Sequence, residues 1–379
     1  MLEQKKILYL STWDFTNENS DGVCKKMKAQ IAAFEKKGFH VDFIYISNGQ
    51  ILFRKDGGIC EIGKVGSVKK TPAYIKMYKY LKNEKYDYVY NRYGMMDTFY
   101  FRVLKKLHQN GAKILIEIPT YPYVGERQKG FAYWLMFKWD ALYTSKLNRV
   151  VERIVTYSDD EMIFDIPTIY IMNGIDTEGI LPKSSVKTDS SICLLALAYM
   201  QPHHGYERLL RGLRDYYKID REKEVQCLLV GDGPEVDFYK DLVKEYNIQA
   251  FVHFMEAKKG AELDAVFEKA DIGICSLGAY KKKLFLSSEL KSREYFAKGI
   301  PICTGVIVDS FRNVYSEYYL EFPNDDSTIN ICEIVRFYKK IYEGEKNRET
   351  VIKEIRTYAE NYMDIIATMQ PVCQYMLER

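Results

Sequence analysis

The side chains best suited to chemistry lie close together in the segment 286–301, which reads Leu-Ser-Ser-Glu-Leu-Lys-Ser-Arg-Glu-Tyr-Phe-Ala-Lys-Gly-Ile-Pro. Ser287 or Ser288 can cap the helix that follows, and the free backbone N–H groups of a helix start bind phosphate. Lys291 adds a positive charge in the first turn, and the Glu294 carboxylate can hold two vicinal hydroxyls, as on a ribose. The spacing favours a site for a phosphate and a sugar, although an ordinary capped surface helix fits it equally well.

The elements around this segment alternate between strand and helix along the chain. A first series has strands at 6–11, 41–46, 87–91, 113–118 and 152–157, and helices at 22–37, 72–84 and 96–110. A second series has strands at 191–197, 225–230, 251–254, 272–275 and 301–304, and helices at 205–218, 235–246, 261–269 and 288–298. This alternation predicts parallel sheets. Ligands of such sheets bind at the carboxyl ends of the strands, so the loops after the strands are the candidate sites.

A polar linker near 181–190 separates the two series. It begins with a proline that is followed by lysine and serines, and it predicts two α/β domains of similar size. We expect the domains to span 1–183 and 184–355, followed by a helical C-terminal segment, 356–379.

Composition and charge exclude several classes of protein. No stretch of about 18 apolar residues occurs, so no membrane-spanning helix is predicted. The apolar run from Ile7 to Leu10 is too short for a signal peptide, and a cytoplasmic location is expected. The net charge of +3 comes without a nucleic-acid-binding motif, so no nucleic-acid partner is expected. Eight cysteines without a Cys-x-x-Cys pair, together with five histidines, predict buried free thiols and no zinc site.

Five blocks of the sequence resemble one enzyme family, in the same order along the chain. The segment 286–301 resembles the C-terminal signature of family 4 retaining glycosyltransferases, and most closely a bacterial surface-polysaccharide type with a Leu-Lys-x-Arg-Glu-Tyr pattern. The other blocks are Asp21 to Val23, Ile116 to Tyr123, Ile171 to Asp176 and His204 to Arg208. The resemblance implies the GT-B fold. In this α/β architecture, two Rossmann-like domains face each other across a cleft, and a C-terminal helix crosses back to the N-terminal domain.

The resemblance also implies roles for individual residues. Glu294 matches a carboxylate that binds the nucleotide ribose, and His204 stands where many relatives carry a lysine that contacts the donor diphosphate. A phosphate nearby favours the charged form of a histidine. Gly22 matches a loop whose backbone approaches the diphosphate, and Gly231 and Gly233 match the turn near the base. The remaining donor-binding candidates are Ser287, Ser288, Glu289, Leu290 and Lys291.

One position departs from the family pattern. The first glutamate of the family's Glu-x7-Glu motif contacts the donor sugar, and its place is taken here by Leu286. Glu289 or the backbone N–H groups of 286–289 are the candidate substitutes.

The implied reaction is sugar transfer with retention of the anomeric configuration. The catalytic candidates are His204, Lys291 and Glu294, and the donor is a nucleotide sugar, expected to be UDP-linked, with no other cofactor. No Asp-x-Asp motif is present to hold a divalent ion, so metal independence is expected.

A glycan or lipid-linked glycan acceptor is expected on the domain 1–183, and the nucleotide sugar on the domain 184–355. Arg92, Glu117 and Tyr121 follow predicted strands of the first domain and are the acceptor-binding candidates.

The segment from Tyr121 to Lys146 is rich in aromatic and basic residues, including Trp134, Phe137 and Lys138. It fits a domain helix whose aromatic residues enter the core, or a helix that docks on an anionic membrane surface. Residues 1–180 carry 27 Lys+Arg against 21 Asp+Glu, a net charge of +6, which favours the second alternative slightly. The inner face of the cell membrane is therefore an alternative location.

Two other functions stay open. One is a catalytically silent partner protein that binds nucleotide or glycan, and Leu286 is the feature that keeps it open. The other is a nucleotide-sugar epimerase, which needs a pair of acid and base carboxylates that the sequence does not offer. A retained Glu294 with a detectable transfer product distinguishes a transferase from the silent partner, and release of free nucleoside diphosphate distinguishes it from the epimerase.

Overall fold

The computed structural model describes residues 4–16, 21–65, 70–121, 131–184, 186, 190–219 and 221–378. The chain forms two compact units, one of 1–172 with 368–379 and one of 173–367. Each unit has its own sheet, built mainly from parallel strands with helices between them. The α/β class predicted from the alternation is therefore confirmed.

The first unit contains a nine-stranded sheet within its described residues. The strands are β1 (Lys6–Asp14), β2 (His40–Ser47), β3 (Gln50–Lys55), β4 (Gly58–Lys64), β5 (Tyr88–Arg92), β6 (Lys113–Ile118), β7 (Arg153–Thr156), β8 (Met162–Ile163) and β9 (Ile166–Tyr170). Their spatial order is β4-β3-β2-β1-β5-β6-β7-β9-β8, with antiparallel pairing at β2–β3, β3–β4 and β8–β9. The helices between the strands are α1 (Asp21–Lys36), α2 (Lys70–Leu81), α3 (Thr98–Gln109) and α4 (Phe131–Thr144).

The second unit contains a parallel six-stranded sheet in its described part. Its strands are β10 (Ile192–Leu197), β11 (Val225–Val230), β12 (Val252–Met255), β13 (Ile272–Ile274), β15 (Ile302–Thr304) and β17 (Tyr319–Glu321), in the order β12-β11-β10-β13-β15-β17. A short pair, β14 (Leu286–Ser287) and β16 (Ile307–Val308), lies apart from it. The helices are α5 (Tyr206–Tyr216), α6 (Val236–Glu245), α7 (Ala261–Lys269), α8 (Leu290–Ala297), α9 (Ile331–Tyr342) and α10 (Arg348–Tyr362).

The central strands lie buried within their sheets because they carry apolar side chains on both faces. Strand β10 buries Ile192, Cys193, Leu194, Leu195 and Ala196 in succession. Such continuous apolar runs are typical of parallel strands that helices cover on both sides. The eight cysteines are free and six of them are buried, which confirms the prediction of unpaired thiols.

The C-terminal segment returns to the first unit. After α11 (Ile365–Thr368), the last helix, α12 (Gln370–Glu378), belongs to that unit. The Lys5 ammonium and the Tyr88 hydroxyl both donate to the Met376 carbonyl, over 2.7 and 2.9 Å. The predicted return of a C-terminal helix is therefore confirmed. No described helix combines the length and the apolar character that crossing a bilayer requires.

Candidate functional site

Two glycines allow neighbouring loops to touch at the carboxyl edge of the second sheet. The loops follow β10 and β11, which are adjacent parallel strands. A Cβ atom on Gly231 would lie under 3.0 Å from the Ala198 carbonyl, and one on Gly233 equally close to the Met200 backbone. Both glycines are therefore required for this packing. Their place beside a nucleotide base stays a prediction.

The loop after β10 is also fixed to the loop after β13. The Leu277 N–H donates to the His204 carbonyl over 2.8 Å. Gly205 has a φ of +64°, and a Cβ atom there would lie under 3.0 Å from the Gly278 backbone. Positive φ and close approach both favour glycine. The two loops thus hold His204 at a defined place, just ahead of α5.

His204 is buried and uncharged. Its Nδ1 accepts a hydrogen bond from the Gln201 N–H over 2.9 Å, so the ring proton lies on Nε2. Burial, followed by the positive charge of Lys291, lowers the pKa of His204 to about 2. The ring stacks on Tyr206 with centroids 5.7 Å apart. Without a ligand the site therefore offers a neutral N–H donor, and the expectation that a nearby phosphate favours the charged form stays a prediction.

Lys291 places a positive charge in the first turn of α8. Its ammonium donates to the Tyr206 hydroxyl over 3.2 Å and lies 3.6 Å from Glu289 Oε2. Burial acts to lower the pKa of Lys291, but the interactions with Tyr206 and Glu289 outweigh it and raise the pKa. Glu289 is held in turn by the Ser276 hydroxyl, which donates to Oε2 over 2.8 Å. The lysine is therefore charged at neutral pH, and one carboxylate shares its charge.

The start of α8 differs from the prediction. The helix begins at Leu290, and its N-cap residue Glu289 makes no side-chain capping hydrogen bond. Ser287 lies in β14, and the Ser288 hydroxyl accepts a hydrogen bond from the Asn173 N–H over 3.0 Å. The prediction that Ser287 or Ser288 caps the helix is wrong, because the Ser288 hydroxyl is used by a residue far away in the sequence.

The Glu294 carboxylate has no direct partner among the residues that the structure describes. It makes no hydrogen bond or ion pair with any of them. Burial raises the pKa of Glu294, and Lys291 offsets only part of this effect. A partly desolvated carboxylate is stabilised when a ligand supplies hydrogen-bond donors. The side chain is therefore available for hydroxyl groups, as the assignment to a ribose requires.

Arg293 organises the segment ahead of α8, although it is not among the residues predicted from the sequence. The side chain is fully buried and forms an ion pair with Asp309. It donates to the Glu289 carbonyl over 3.1 Å, to the Asn173 carbonyl over 3.2 Å and to the Ser288 hydroxyl over 3.3 Å. Its position in the Leu-Lys-x-Arg-Glu-Tyr pattern was the available signal, but its partners Asn173 and Asp309 lie outside this segment.

The first unit holds two of the acceptor-binding candidates in a closed network. The Arg92 guanidinium forms an ion pair with Glu117, which is fully buried. Hydroxyls of Tyr90 and Tyr157 donate to Glu117 over 2.6 and 3.0 Å, and the Gln30 amide donates over 2.6 Å. Burial acts to raise the pKa of Glu117, but Arg92 and the other cationic and hydrogen-bonding partners outweigh it and lower the pKa.

This placement leaves Glu117 no surface with which to touch an acceptor. Any effect of Glu117 on an acceptor must pass through the side chains that it holds, such as Arg92. Tyr121 is half-buried, and its ring packs edge-on against Phe164 with centroids 6.0 Å apart. Acceptor binding by these residues stays a prediction.

Gly22 lies in the first turn of α1 and is exposed. A Cβ atom added to it would meet no described atom within 4 Å beyond its chain neighbours and its own helix backbone. Its approach to a diphosphate stays a prediction. The block from Ile116 to Tyr123 and the aromatic segment from Tyr121 to Lys146 both run into 122–130, which lies outside the described residues.

One group of potential metal ligands occurs among the described residues, namely His40, Asp42 and Asp56. The His40 Nε2 lies 3.2 Å from Asp42 Oδ1 and 3.1 Å from Asp56 Oδ1. Hydrogen bonding explains these distances. The group belongs to β2 and to the turn after β3, and none of the site candidates is part of it.

Comparison with known proteins gives one family match and several similar structures. Residues 179–279 match the family described as Glycosyl transferases group 1. A glycosyltransferase from Rickettsia africae ESF-5 has a similar structure, with a TM-score of 0.65 and 12% identity over 100% of both chains. No curated protein matches the sequence.

Two further solved structures are similar. Anabaena Alr3699/HepE in complex with UDP has a TM-score of 0.58 and 13% identity, over 99% of this chain and 100% of that chain. WaaG, a glycosyltransferase involved in lipopolysaccharide biosynthesis, has a TM-score of 0.55 and 14% identity, over 98% of this chain and 99% of that chain. The likeness confirms the GT-B type of α/β fold. The match over 179–279 gives the second unit the sequence character of a group 1 glycosyltransferase.

Proposed function

We propose that this protein is a retaining glycosyltransferase, which moves a sugar from a UDP-linked donor to a glycan or lipid-linked glycan acceptor in bacterial surface polysaccharide synthesis. The observation that carries the proposal is the Glu294 carboxylate, which forms no hydrogen bond or ion pair with a described residue, on the same helix as the charged Lys291. A nucleotide sugar offers vicinal hydroxyls for the first and a diphosphate for the second. The match of 179–279 to group 1 glycosyl transferases supports the same assignment.

In this proposal the acceptor oxygen bonds to the anomeric carbon while the bond from that carbon to the diphosphate oxygen breaks. The electron pair of the broken bond leaves with the diphosphate. The acceptor proton passes to a diphosphate oxygen on the same face of the sugar, so the configuration is retained. The protein positions the reactants and stabilises charge on the leaving group. His204 Nε2–H donates to the diphosphate, and Lys291 supplies charge.

The donor sugar is contacted around Leu286 in this proposal. The Glu289 carboxylate is held by Ser276 on one side and Lys291 on the other, which fixes it beside the start of α8. Arg293 holds the carbonyl of the same residue. These contacts with Ser276, Lys291 and Arg293 support Glu289 as the substitute for the absent first glutamate of the motif. No metal ion and no further cofactor take part in the proposed reaction.

We also infer that α4 docks on an anionic membrane surface. Five large apolar side chains in its described part are exposed, with 48–54% of the surface of each accessible: Trp134, Leu135, Met136, Trp139 and Leu142. Its buried face instead carries Asp140, which accepts a hydrogen bond from the Met96 N–H over 2.6 Å.

An ordinary surface helix presents mainly polar side chains to solvent, whereas α4 exposes five large apolar ones. Contiguous exposed apolar groups mark a contact surface. The exposed Lys138, whose ammonium lies 5.7 Å from the centre of the Trp134 ring, and the net charge of +6 in 1–180 suit anionic lipid.

The function is tested by thermal unfolding with UDP, GDP, ADP and dTDP and their sugars, followed by a transfer assay with the ligand that binds. A ligand of the native state raises the unfolding temperature. We expect a rise with UDP and its sugars, and release of UDP when an acceptor is added. Binding without release of nucleoside diphosphate in the presence of acceptor glycans would support the silent partner instead.

A further inference from the structure

A turn rich in lysine lies beside the two histidines of the second unit. The residues 279–282 form a single 3-10 turn after β13, and Lys281, Lys282 and Lys283 follow one another at its end. The loop that carries this turn is fastened to the His204 loop by the Leu277 N–H and by the close approach of Gly278. The backbone of this turn is therefore held close to the His204 loop.

The cations around the histidines differ in how far they are neutralised. Lys281 forms an ion pair with Glu207, and Lys291 shares its charge with Glu289 over 3.6 Å. Lys282 is exposed and makes no ion pair with any residue in the described ranges. Of these lysines, Lys282 thus has the charge most available to a ligand.

The charge of Lys282 acts on both histidines, as the fastening of its loop to the His204 loop leads one to expect. Burial lowers the pKa of His203, and Lys282 is the largest electrostatic contributor to the same shift. Lys282 also contributes to the lowered pKa of His204. In addition, the buried Nδ1 of His203 has no hydrogen-bond partner among the described residues. The edge of the site therefore combines an open positive charge with an unused polar atom.

A diphosphate needs more charge than His204 and Lys291 supply. The histidine is neutral and adds a donor but no charge, and the lysine is partly compensated by Glu289. We propose that Lys282 is a second cation of the donor-diphosphate site and pairs with the outer phosphate of the nucleoside diphosphate. This inference rests on the proposed function.

The test compares UDP and UMP binding by calorimetry in the full chain, for the unchanged protein and for Lys282→Ala, Lys282→Arg and Lys283→Ala. Losing one charge-assisted contact should raise the Kd for UDP about 10-fold and the Kd for UMP much less. Lys282→Arg should keep the affinity for UDP, because it keeps the charge. The matched control Lys283→Ala removes the same charge from the next residue and should leave both Kd values unchanged.

Three outcomes overturn the inference. An unchanged Kd for UDP in Lys282→Ala, with binding still lost in Glu294→Ala, removes Lys282 from the site and leaves the proposed function standing. Equal losses of UDP affinity in Lys282→Ala and Lys283→Ala would show that general surface charge causes the effect, and they also reject the pairing. Absence of binding of any nucleoside diphosphate to the unchanged protein rejects the proposed function and the inference together.

Discussion

Glu117 in the first unit and Glu294 in the second are both carboxylates withdrawn from water, but their surroundings differ. Glu117 accepts hydrogen bonds from two tyrosines and a glutamine and pairs with Arg92, so its pKa is lowered despite burial. Glu294 has only the field of Lys291 to oppose burial, so its pKa is raised. The difference separates a carboxylate that stabilises the fold from one that is left open for a ligand.

The comparison predicts its largest effect at Glu117. Glu117→Ala leaves the buried Arg92 without its counter-ion, and breaking a buried pair in this way costs about 3–5 kcal/mol of unfolding free energy. Urea-induced unfolding measures the loss. The control is Glu35→Ala, which breaks the exposed pair with Arg54 and should cost less than about 1 kcal/mol. Similar losses in both variants would contradict the structural role of the network.

At Glu294 the expected pattern is the opposite, with little change in stability and a large change in binding. Glu294→Ala removes hydrogen bonds between a charged group and the donor hydroxyls, worth about 1.5–3 kcal/mol, which corresponds to a loss of roughly 10- to 100-fold in affinity. UDP titration and the kcat/KM for the donor measure this loss. Unchanged donor kinetics in a folded variant would remove Glu294 from the site.

Helix α4 of the first unit also differs from an ordinary surface helix. It buries the Asp140 carboxylate and exposes Trp134 and Trp139. Replacing Trp134 and Trp139 with serine should weaken binding to vesicles that contain phosphatidylglycerol by roughly 10-fold or more, since each buried aromatic contributes about 1.5–3 kcal/mol. Co-sedimentation measures binding, and Phe238→Ser, on the exposed surface of the second unit, is the control. Equal binding by all three proteins would reject docking through α4.

The smallest effect is expected in the pH dependence of stability, where the two carboxylates should act with opposite sign. The pKa of Glu117 is below its usual 4.5, so its stabilisation is present above pH 4.5 and is lost as the pH falls further. The pKa of Glu294 is above 4.5, so its ionised form destabilises the fold at neutral pH, and the penalty shrinks as the pH falls toward 4.5.

Unfolding of Glu117→Gln and Glu294→Gln between about pH 2 and 8 measures both contributions, the Glu117 contribution below pH 4.5 and the Glu294 contribution above it. At neutral pH the first variant should be less stable than the unchanged protein and the second slightly more stable. If both variants changed the unfolding free energy at neutral pH in the same direction, the contrast between the two carboxylates would be rejected.

The sequence predicted the succession of strands and helices well, because apolar runs and helical spacing are local properties. It also predicted the Glu294 helix, since that segment carries a dense and ordered pattern. It did not predict the true cap of α8, because the Ser288 hydroxyl is engaged by Asn173 from another part of the chain.

The sequence also did not predict properties that depend on tertiary packing. The neutral state of His204 follows from burial and from Lys291, which is distant in the sequence. The closed pair of Arg92 and Glu117 follows from the register of β5 and β6, where these two residues lie opposite each other. Periodicity places such residues at strand ends but does not say which ones meet.

The contact between Gly205 and Gly278 has a consequence for how this protein can vary. A side chain at Gly205 meets the Gly278 backbone, and a side chain at Gly278 meets the Gly205 backbone in return. Neither loop can therefore acquire a larger residue at this point on its own. Libraries that aim to change donor choice should keep both glycines constant and randomise the positions around them, because most substitutions at either glycine will be lost to misfolding before selectivity can be scored.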